Sequence, residues 1–335
     1  MLKKDASLLV LILVIGVVTA FLNPRFVSPI NLSNTANLIG LFGLYAIGAG
    51  FVIITGGIDL SVGSLFALLG VIFLDLLTSH QMNWGVAVVL MVIAGMAIGS
   101  IHAFLILKMK MQPFIVTLCG LLLYRGIARW YTEDGTAGFE FGQSFPSLEW
   151  ITTGRTYGVP HSFVVFILIA IVMGIVLHRS VFGRYLCAVG KNEEAARYSG
   201  IPTGKVIAAA YVIASGLAGL SSVYFVMYTR SISPASHGNF YELYGIAAAV
   251  LGGCSLRGGE GSVFGIVLGA ILLQILQNLV NLLGIPSSLN FAVMGAVILI
   301  GVLADQQFVN YRQWLRSRAR DAALARNIPP KDAGA

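Results

Sequence analysis

The chain has 335 residues, of which 57% are hydrophobic and only 10% charged, with a formal net charge of +7. A soluble domain carries about 25% charged residues, so water cannot be the solvent on every side of this one. The length would allow two or three soluble domains, but repeated apolar runs of about 17–25 residues exclude that organisation and identify an integral membrane protein.

Ten candidate spans follow in chain order, at approximately 6–22, 36–56, 60–78, 84–107, 113–131, 162–178, 206–228, 243–256, 262–283 and 288–304. The runs are continuous rather than alternating, and backbone groups in lipid must bond within their own segment. The expected fold is therefore all-α: a polytopic membrane protein of about ten transmembrane helices with Gly-rich breaks. The run at 243–256 is short for an upright helix of ~20 residues. The first run, with Lys3 and Lys4 before it and Val18-Thr19-Ala20 at its end, can also be read as a cleavable leader, which would leave nine spans. Asn23-Pro24-Arg25 reads as an ordinary helix exit and favours an uncleaved first span.

Between the second and third spans stands "TGGIDLSVGS" (55–64), where an apolar passage stops. Glycines Gly56 and Gly57 let the chain turn where a side chain would not fit. Asp59 precedes a helix expected from Leu60, and its carboxylate can accept from the N–H of Ser61 or Val62. Gly63 follows within the first turn. Non-helical backbone at such depth is tolerated only when buried in protein or lining a cavity. Two readings stay open, a buried cap that fixes two helices and a hinge or gate beside a pathway. Gly56-Gly57-x-x-Leu60-x-x-Gly63 recurs weakly as Gly252-Gly253-x-x-Leu256-x-x-Gly259, which points to a second break.

In the fourth span His102 reads as a hydrogen-bonded packing residue, with no second His or Cys placed to make a metal site. Arg125 and Arg129 share a face of the fifth span. Arg129 can snorkel outward, while Arg125 lies deeper and needs a partner such as Asp75. Cys119, Cys187 and Cys254 show no CxxC and read as small apolar residues.

The loop 179–205, "RSVFGRYLCAVGKNEEAARYSGIPTGK", carries a short helix from Asn192, its N-cap. Glu193 and Glu194 lie in its first turn and Arg197 near its end, and Gly200 and Pro202 stop it. It is either a solvated connector or a docking element for a soluble partner. In the ninth span Gln274, Gln277, Asn278 and Asn281 fall at i, i+3, i+4 and i+7, one face of an apolar helix. Four uncharged amides offer donors and acceptors to a polyol, but they also serve as glue between membrane helices.

Orientation follows from the basic residues. With the N-terminus inside, the cytoplasmic segments hold Lys3, Lys4, Lys108, Lys110, Arg179, Arg184, Lys191, Arg197, Lys205 and Arg257, and the C-terminal tail adds six more. Arg25, Arg155 and Arg230 alone fall outside. That asymmetry places both termini in the cytoplasm. Trp84, Trp130 and Tyr131 at outer span ends agree, as does the loop 132–161 with its four carboxylates against one arginine. The final "NIPPKDAGA" reads as a disordered end.

Enzyme signatures are absent from the sequence: there is no HExxH, no GxSxG, and the Gly-Lys pairs at 190–191 and 204–205 lack the Ser or Thr of a phosphate loop. No cofactor, metal or nucleic-acid partner is expected. Asp59 and Asp75 are the only span carboxylates, thin provision for an ion-coupled carrier.

Five stretches in order, "GGIDLSVGS" (56–64), "PFIVTL" (113–118), "GRYLCAVGKNEEAARYSGI" (183–201), "YELYGIAAAVLGGCSLRGGEGSVFG" (241–265) and "NLLGI" (281–285), carry a resemblance. The chain resembles the ribose-type monosaccharide permeases of bacterial ABC importers, relatives of the branched-chain amino acid permeases, over about residues 35–305. The resemblance implies a transmembrane permease domain over 1–304, followed by a basic cytoplasmic tail over 305–335. It also implies a place in the bacterial inner membrane, a second permease copy or paralogue, separate ABC ATPase subunits and a periplasmic substrate-binding protein. Glu194, Ala195, Ala196 and Gly200 match the loop such permeases insert into the ATPase. Gly56, Gly57, Asp59, Gly63, Gly252 and Gly253 are then candidate gate or helix-break residues, and the amides at 274–281 a candidate substrate pathway or a helix seam. His102-Ala103 and Tyr244 depart from the family's Asn-Gly and Asp, which leaves the cargo open between a small neutral sugar or polyol, a branched-chain amino acid and another small metabolite. A carrier driven by an ion gradient is the rival from outside the family.

Overall fold

The computed structural model describes residues 2–286 continuously and scattered single positions beyond. The expected span 288–304 and the tail 305–335 thus lie outside the continuously described residues. All the helices below belong to one compact unit, residues 1–287.

Helix α1 (Leu2–Leu22) leads through a 3-10 turn at Pro24–Val27 into α2 (Pro29–Ile54). α2 starts at Pro29 rather than near 36, because Ser28 caps it, its Oγ accepting from the Asn31 N–H at 3.3 Å, and Pro29 occupies the first turn. Polar residues at 31–37 lower the local hydropathy without interrupting the helix. Then come α3 (Val62–Thr78), α4 (Trp84–Leu107) and α5 (Pro113–Tyr131). The segment between α5 and α7 is more structured than a run of loop residues suggests. It holds α6 (Pro146–Thr153) and the strands β1 (Ala137–Gly138), β2 (Arg155–Thr156) and β3 (Val159–Pro160). β2 and β3 form a hairpin whose two turn residues, Tyr157 and Gly158, both have positive φ.

α7 (His161–Arg179) is followed by two short helices, α8 (Val181–Lys191) and α9 (Glu193–Tyr198). α10 (Thr203–Thr229), strand β4 (Ser231–Ile232), α11 (Tyr241–Leu251) and α12 (Val263–Leu282) complete the described chain. β4 pairs antiparallel with β1 and ties the loop after α10 to the segment between α5 and α7. The fold is all-α apart from these two-residue ladders.

Five helices, α2, α4, α7, α10 and α12, are long and apolar enough to cross a membrane. α2 is the central one. Nearly all of it is buried, against α7, α10, α11 and α12, whereas α4 and α7 leave most of their apolar surface exposed. Exposed Val86, Val89, Leu90, Ile93 and Ile101 on α4, and Leu168, Ile171, Val172 and Ile175 on α7, form faces suited to lipid or to another apolar partner. α4 lies close along α10. Gly95 and Gly99, a GxxxG pair, let the α4 backbone approach so nearly that a Cβ on either would overlap the Ser215 or Tyr211 carbonyl of α10.

Candidate functional site

The first break follows α2. Thr55 is the last residue with helical backbone angles, and Gly56 takes φ +84°. The Gly56 N–H donates to Ile53 O at 2.8 Å and the Gly57 N–H to Val52 O at 3.2 Å, a Schellman closure of the helix. A Cβ on Gly57 would come within 2.6 Å of the Tyr211 hydroxyl. The next helix begins at Val62, two residues later than Leu60. Asp59 Oδ1 accepts from both the Ser61 N–H (2.8 Å) and the Ser61 hydroxyl (2.7 Å), which folds 59–61 into an Asx turn ahead of the helix. Asp59 is buried, and its other carboxylate oxygen has no partner among the described residues.

Polar side chains from three helices surround this passage. The Ile58 carbonyl accepts from the Thr117 hydroxyl of α5 (3.3 Å) and the Tyr211 hydroxyl of α10 (3.4 Å). His102 of α4 is buried and hydrogen-bonds the Tyr124 hydroxyl of α5 at 2.7 Å, so its packing role holds and its partner is now named. On the far side of Ser61, a Cβ on Gly63 would overlap Gly238 O, in the loop before α11, and reach within 2.5 Å of the Glu242 carboxylate.

A second break follows α11, and it repeats the first with a corrected register. Gly252 corresponds to Thr55, not to Gly56. Its φ of −69° is open to any residue, and it is glycine because a Cβ there would overlap the Gly265 carbonyl of α12. Gly253, at φ +89°, is the counterpart of Gly56. Its N–H donates to Val250 O and that of Cys254 to Ala249 O, the same Schellman closure residue for residue.

The two breaks touch. The Gly259 N–H donates to the Ile54 carbonyl at 2.8 Å, and a Cβ on Gly258 would lie 2.8 Å from Gly56 N and 2.7 Å from Gly190 O. Gly190, near the end of α8, completes the contact, since a Cβ on it would overlap both Ile54 O and Gly259 N. Three segments distant in sequence therefore meet backbone to backbone. Lys191 and Glu260, both mostly exposed, add an ion pair at 3.5 Å across the same junction, worth little by itself.

α8 is amphipathic, with Gly183, Leu186 and Val189 buried, and the loop reading around 179–205 missed it as a separate helix. The i, i+3, i+6 spacing of those residues was the available signal. After it, Asn192 Oδ1 caps α9 by accepting from the Ala195 N–H at 2.9 Å. α9 ends at Gly200, φ +81°, with the Ile201 N–H donating to Ala196 O. Ala196 alone is buried. Glu194, Ala195, Arg197 and Tyr198 are exposed, the Tyr198 ring at 84%.

The four amides of α12 do not share one environment. Asn278 and Asn31 of α2 exchange hydrogen bonds (2.8 and 3.1 Å), and Asn278 also donates to the Thr35 hydroxyl at 3.0 Å. Gln274 is buried beside Phe42, Tyr45 and Tyr244, with its carbonyl oxygen unpartnered among the described residues. Gln277 is half-buried and Asn281 exposed. Arg125 does not reach Asp75. Its guanidinium donates to the Pro234 and His237 carbonyls (2.6 Å each) and pins the loop before α11, whereas Asp75 Oδ2 accepts from the Tyr131 hydroxyl at 2.7 Å. Arg129, in the last turn of α5, pairs with Asp134.

A family described as "branched-chain amino acid transport system / permease component" matches residues 31–302. Among curated proteins, the chain is 37% identical over 306 residues to the ribose import permease protein RbsC of Escherichia coli (strain K12), covering 91% of this chain and 94% of that protein. The ribose import permease protein RbsC of Bacillus subtilis (strain 168) is 36% identical over 298 residues, covering 88% and 90%. The fructose import permease protein FruF of Bifidobacterium longum (strain NCC 2705) is 31% identical over 257 residues, covering 77% and 72%. No solved structure matches. The glycine-broken helices, the capped exposed α9 and a match running through nearly the whole helical unit lead to one assignment: the chain belongs to the family of branched-chain amino acid transport system permease components, multi-pass membrane subunits that carry solute and are not enzymes.

Proposed function

We propose that this chain is the transmembrane subunit of an ATP-driven importer for a small neutral sugar or polyol in a bacterial inner membrane. It acts with a second permease copy or paralogue, with ABC ATPase subunits on the cytoplasmic side, and with a periplasmic binding protein that selects and delivers the cargo. The chain crosses the membrane about ten times, with both termini in the cytoplasm, as the Lys and Arg distribution requires. Relatives whose names specify ribose and fructose import support the cargo class.

One observation carries the mechanism. The exposed helix α9 is joined directly to α8, whose Gly190 sits against both helix breaks. ATP-driven movement of the ATPases displaces α9, α8 transmits the displacement, and the breaks after α2 and α11 change their angles around a weak central passage. Gly56, Gly57, Asp59, Gly63, Gly252 and Gly253 are the joints of that motion. Glu194, Ala195, Ala196 and Gly200 are the docking residues. Asn278 belongs to the seam between α2 and α12, and Gln274 faces the passage.

Co-purification from bacterial membranes tests this reading, wild type against Glu194→Ala combined with Gly200→Leu. The expected result is an ATPase subunit retained by the wild type and lost from the variant, together with loss of sugar uptake. A chain that purifies alone and moves solute down an ion gradient would overturn it.

A further inference from the structure

Tyr45 of α2 and Gln274 of α12 line one small cavity, of about 10 Å³, with Phe42, Ala46, Tyr244 and Ala248. Both residues are buried, at 1% and 5% exposure, and neither the Tyr45 hydroxyl nor the Gln274 carbonyl oxygen finds a hydrogen-bond partner among the described residues. Buried polar atoms are almost always satisfied, so two orphans in one cavity mark a place built for a polar guest. The surroundings narrow its chemistry. Phe42 meets Tyr45 edge-on at 6.0 Å, Tyr45 stacks on Tyr241 at 6.0 Å, and Tyr241 meets Tyr244 at 6.5 Å. Aromatic walls with two convergent uncharged polar groups suit a ligand that presents C–H faces and hydroxyl edges, not a charged one.

Position agrees with chemistry. Tyr45 lies about 24 Å along α2 at ~1.5 Å per residue, and Gln274 is near the middle of α12, so the cavity sits at mid-depth of both helices. The third wall is α11, a discontinuous helix of 11 residues. Broken helices at mid-depth are where membrane carriers place their substrate contacts. At its present volume the cavity has room for roughly one water molecule. A sugar enters only when α2 separates from α11, a movement that the breaks at Gly56 and Gly253 allow.

We propose that this aromatic-walled cavity is the closed form of a contact site for a monosaccharide in transit, with the Tyr45 hydroxyl donating to and the Gln274 carbonyl accepting from sugar hydroxyl groups. This rests on the sugar-importer reading above. It adds that the permease itself touches the cargo at defined residues, rather than offering a featureless passage.

Tyr45→Phe and Gln274→Leu each remove one polar group at nearly constant volume. Each is made in the complete importer with its ATPases and binding protein, reconstituted in vesicles and assayed with radiolabelled D-ribose and D-fructose. The quantity read is sugar moved per ATP hydrolysed at saturating binding protein. The expected result is a fall of about tenfold in that ratio for each variant, the scale of one lost hydrogen bond in a limiting step, with the ATPases still bound. A folding or assembly defect lowers transport and hydrolysis together and leaves the ratio alone. A ratio within twofold of wild type in both variants would overturn the proposal and assign the cavity to a water molecule only. If the wild-type importer moves neither sugar, the importer reading fails first, and the site fails with it.

Discussion

Asn278 shows how a residue chosen for its chemistry acquires its role from its neighbours. By spacing it belongs with Gln274 on one face of α12, yet it exchanges amide hydrogen bonds with Asn31 and donates to Thr35, both on α2. Hydrogen bonds between membrane helices average about 0.6 kcal/mol and reach about 1.7. Asn278→Leu removes three and leaves the Asn31 amide only its bond to the Phe26 carbonyl, so a loss of ~1–3 kcal/mol is expected, read as a lower melting temperature of the purified protein. Uptake per assembled importer should stay near wild type. A large drop in turnover without a drop in melting temperature would return Asn278 to the passage. The sequence could propose the amide stripe but could not divide it, because helical periodicity gives the face and not what stands opposite. The orphaned Tyr45 hydroxyl was illegible for the same reason, since nothing in a local window separates an unpartnered tyrosine from a packed one.

At the scale of elements, the junction of α8 with the two breaks makes a sharper claim. Gly190→Ala places a methyl group into the Ile54 carbonyl and the Gly259 amide, both backbone atoms of other segments that cannot rotate aside. Overpacking of this kind costs about 1–3 kcal/mol. Uptake should fall to a small fraction of wild type. Gly204→Ala serves as the control, because the nearest atom to its Cβ is a Leu107 methyl at 3.9 Å, and it should transport normally. Equal uptake by the two variants would show that the close approach at Gly190 is incidental. The sequence read the existence of both breaks from their glycines and aligned them one residue out of step. It matched Gly56 to Gly252 because both open a Gly-Gly pair. The structure matches Gly56 to Gly253, since backbone handedness and not residue identity defines the joint. Gly252 is small for a separate reason, the passage of α12 beside it, and one letter in a sequence does not tell these two causes apart.

For the whole molecule, hydropathy placed nine helical runs on α1–α5, α7 and α10–α12, with ends off by as much as seven residues at the start of α2 and five at the end of α11, because continuous apolar stretches have few alternatives in lipid. It overlooked α6 and α8, which lie outside the apolar runs: α6 starts at Pro146 and α8 at the Ser180 cap, and each packs on one side only. Sidedness is the remaining large-scale expectation, and it can be measured directly. In a background with Cys119, Cys187 and Cys254 replaced by serine, Tyr157→Cys in the β2–β3 turn and Tyr198→Cys on α9 each expose one thiol. A membrane-impermeant maleimide should label the first in intact spheroplasts and the second only after permeabilisation. Labelling of both from outside would overturn the cytoplasmic placement of α9 and its proposed docking to the ATPases.

The meeting of Ile54, Gly190 and Gly259 has a mechanical consequence. Side chains act as springs: their rotamers give way and absorb small displacements before the load passes on. Here three peptide units bear on one another with no side chain between them, so the joint is as stiff as the close-packed interior itself. In the mechanism proposed above, a push of an ångström on α8 is shared between the end of α2 and the loop that follows α11 at the same moment and reaches neither of them alone. On that proposal the two broken helices are a pair of levers on a single axle, and a stroke delivered from one side of the membrane turns both or stalls.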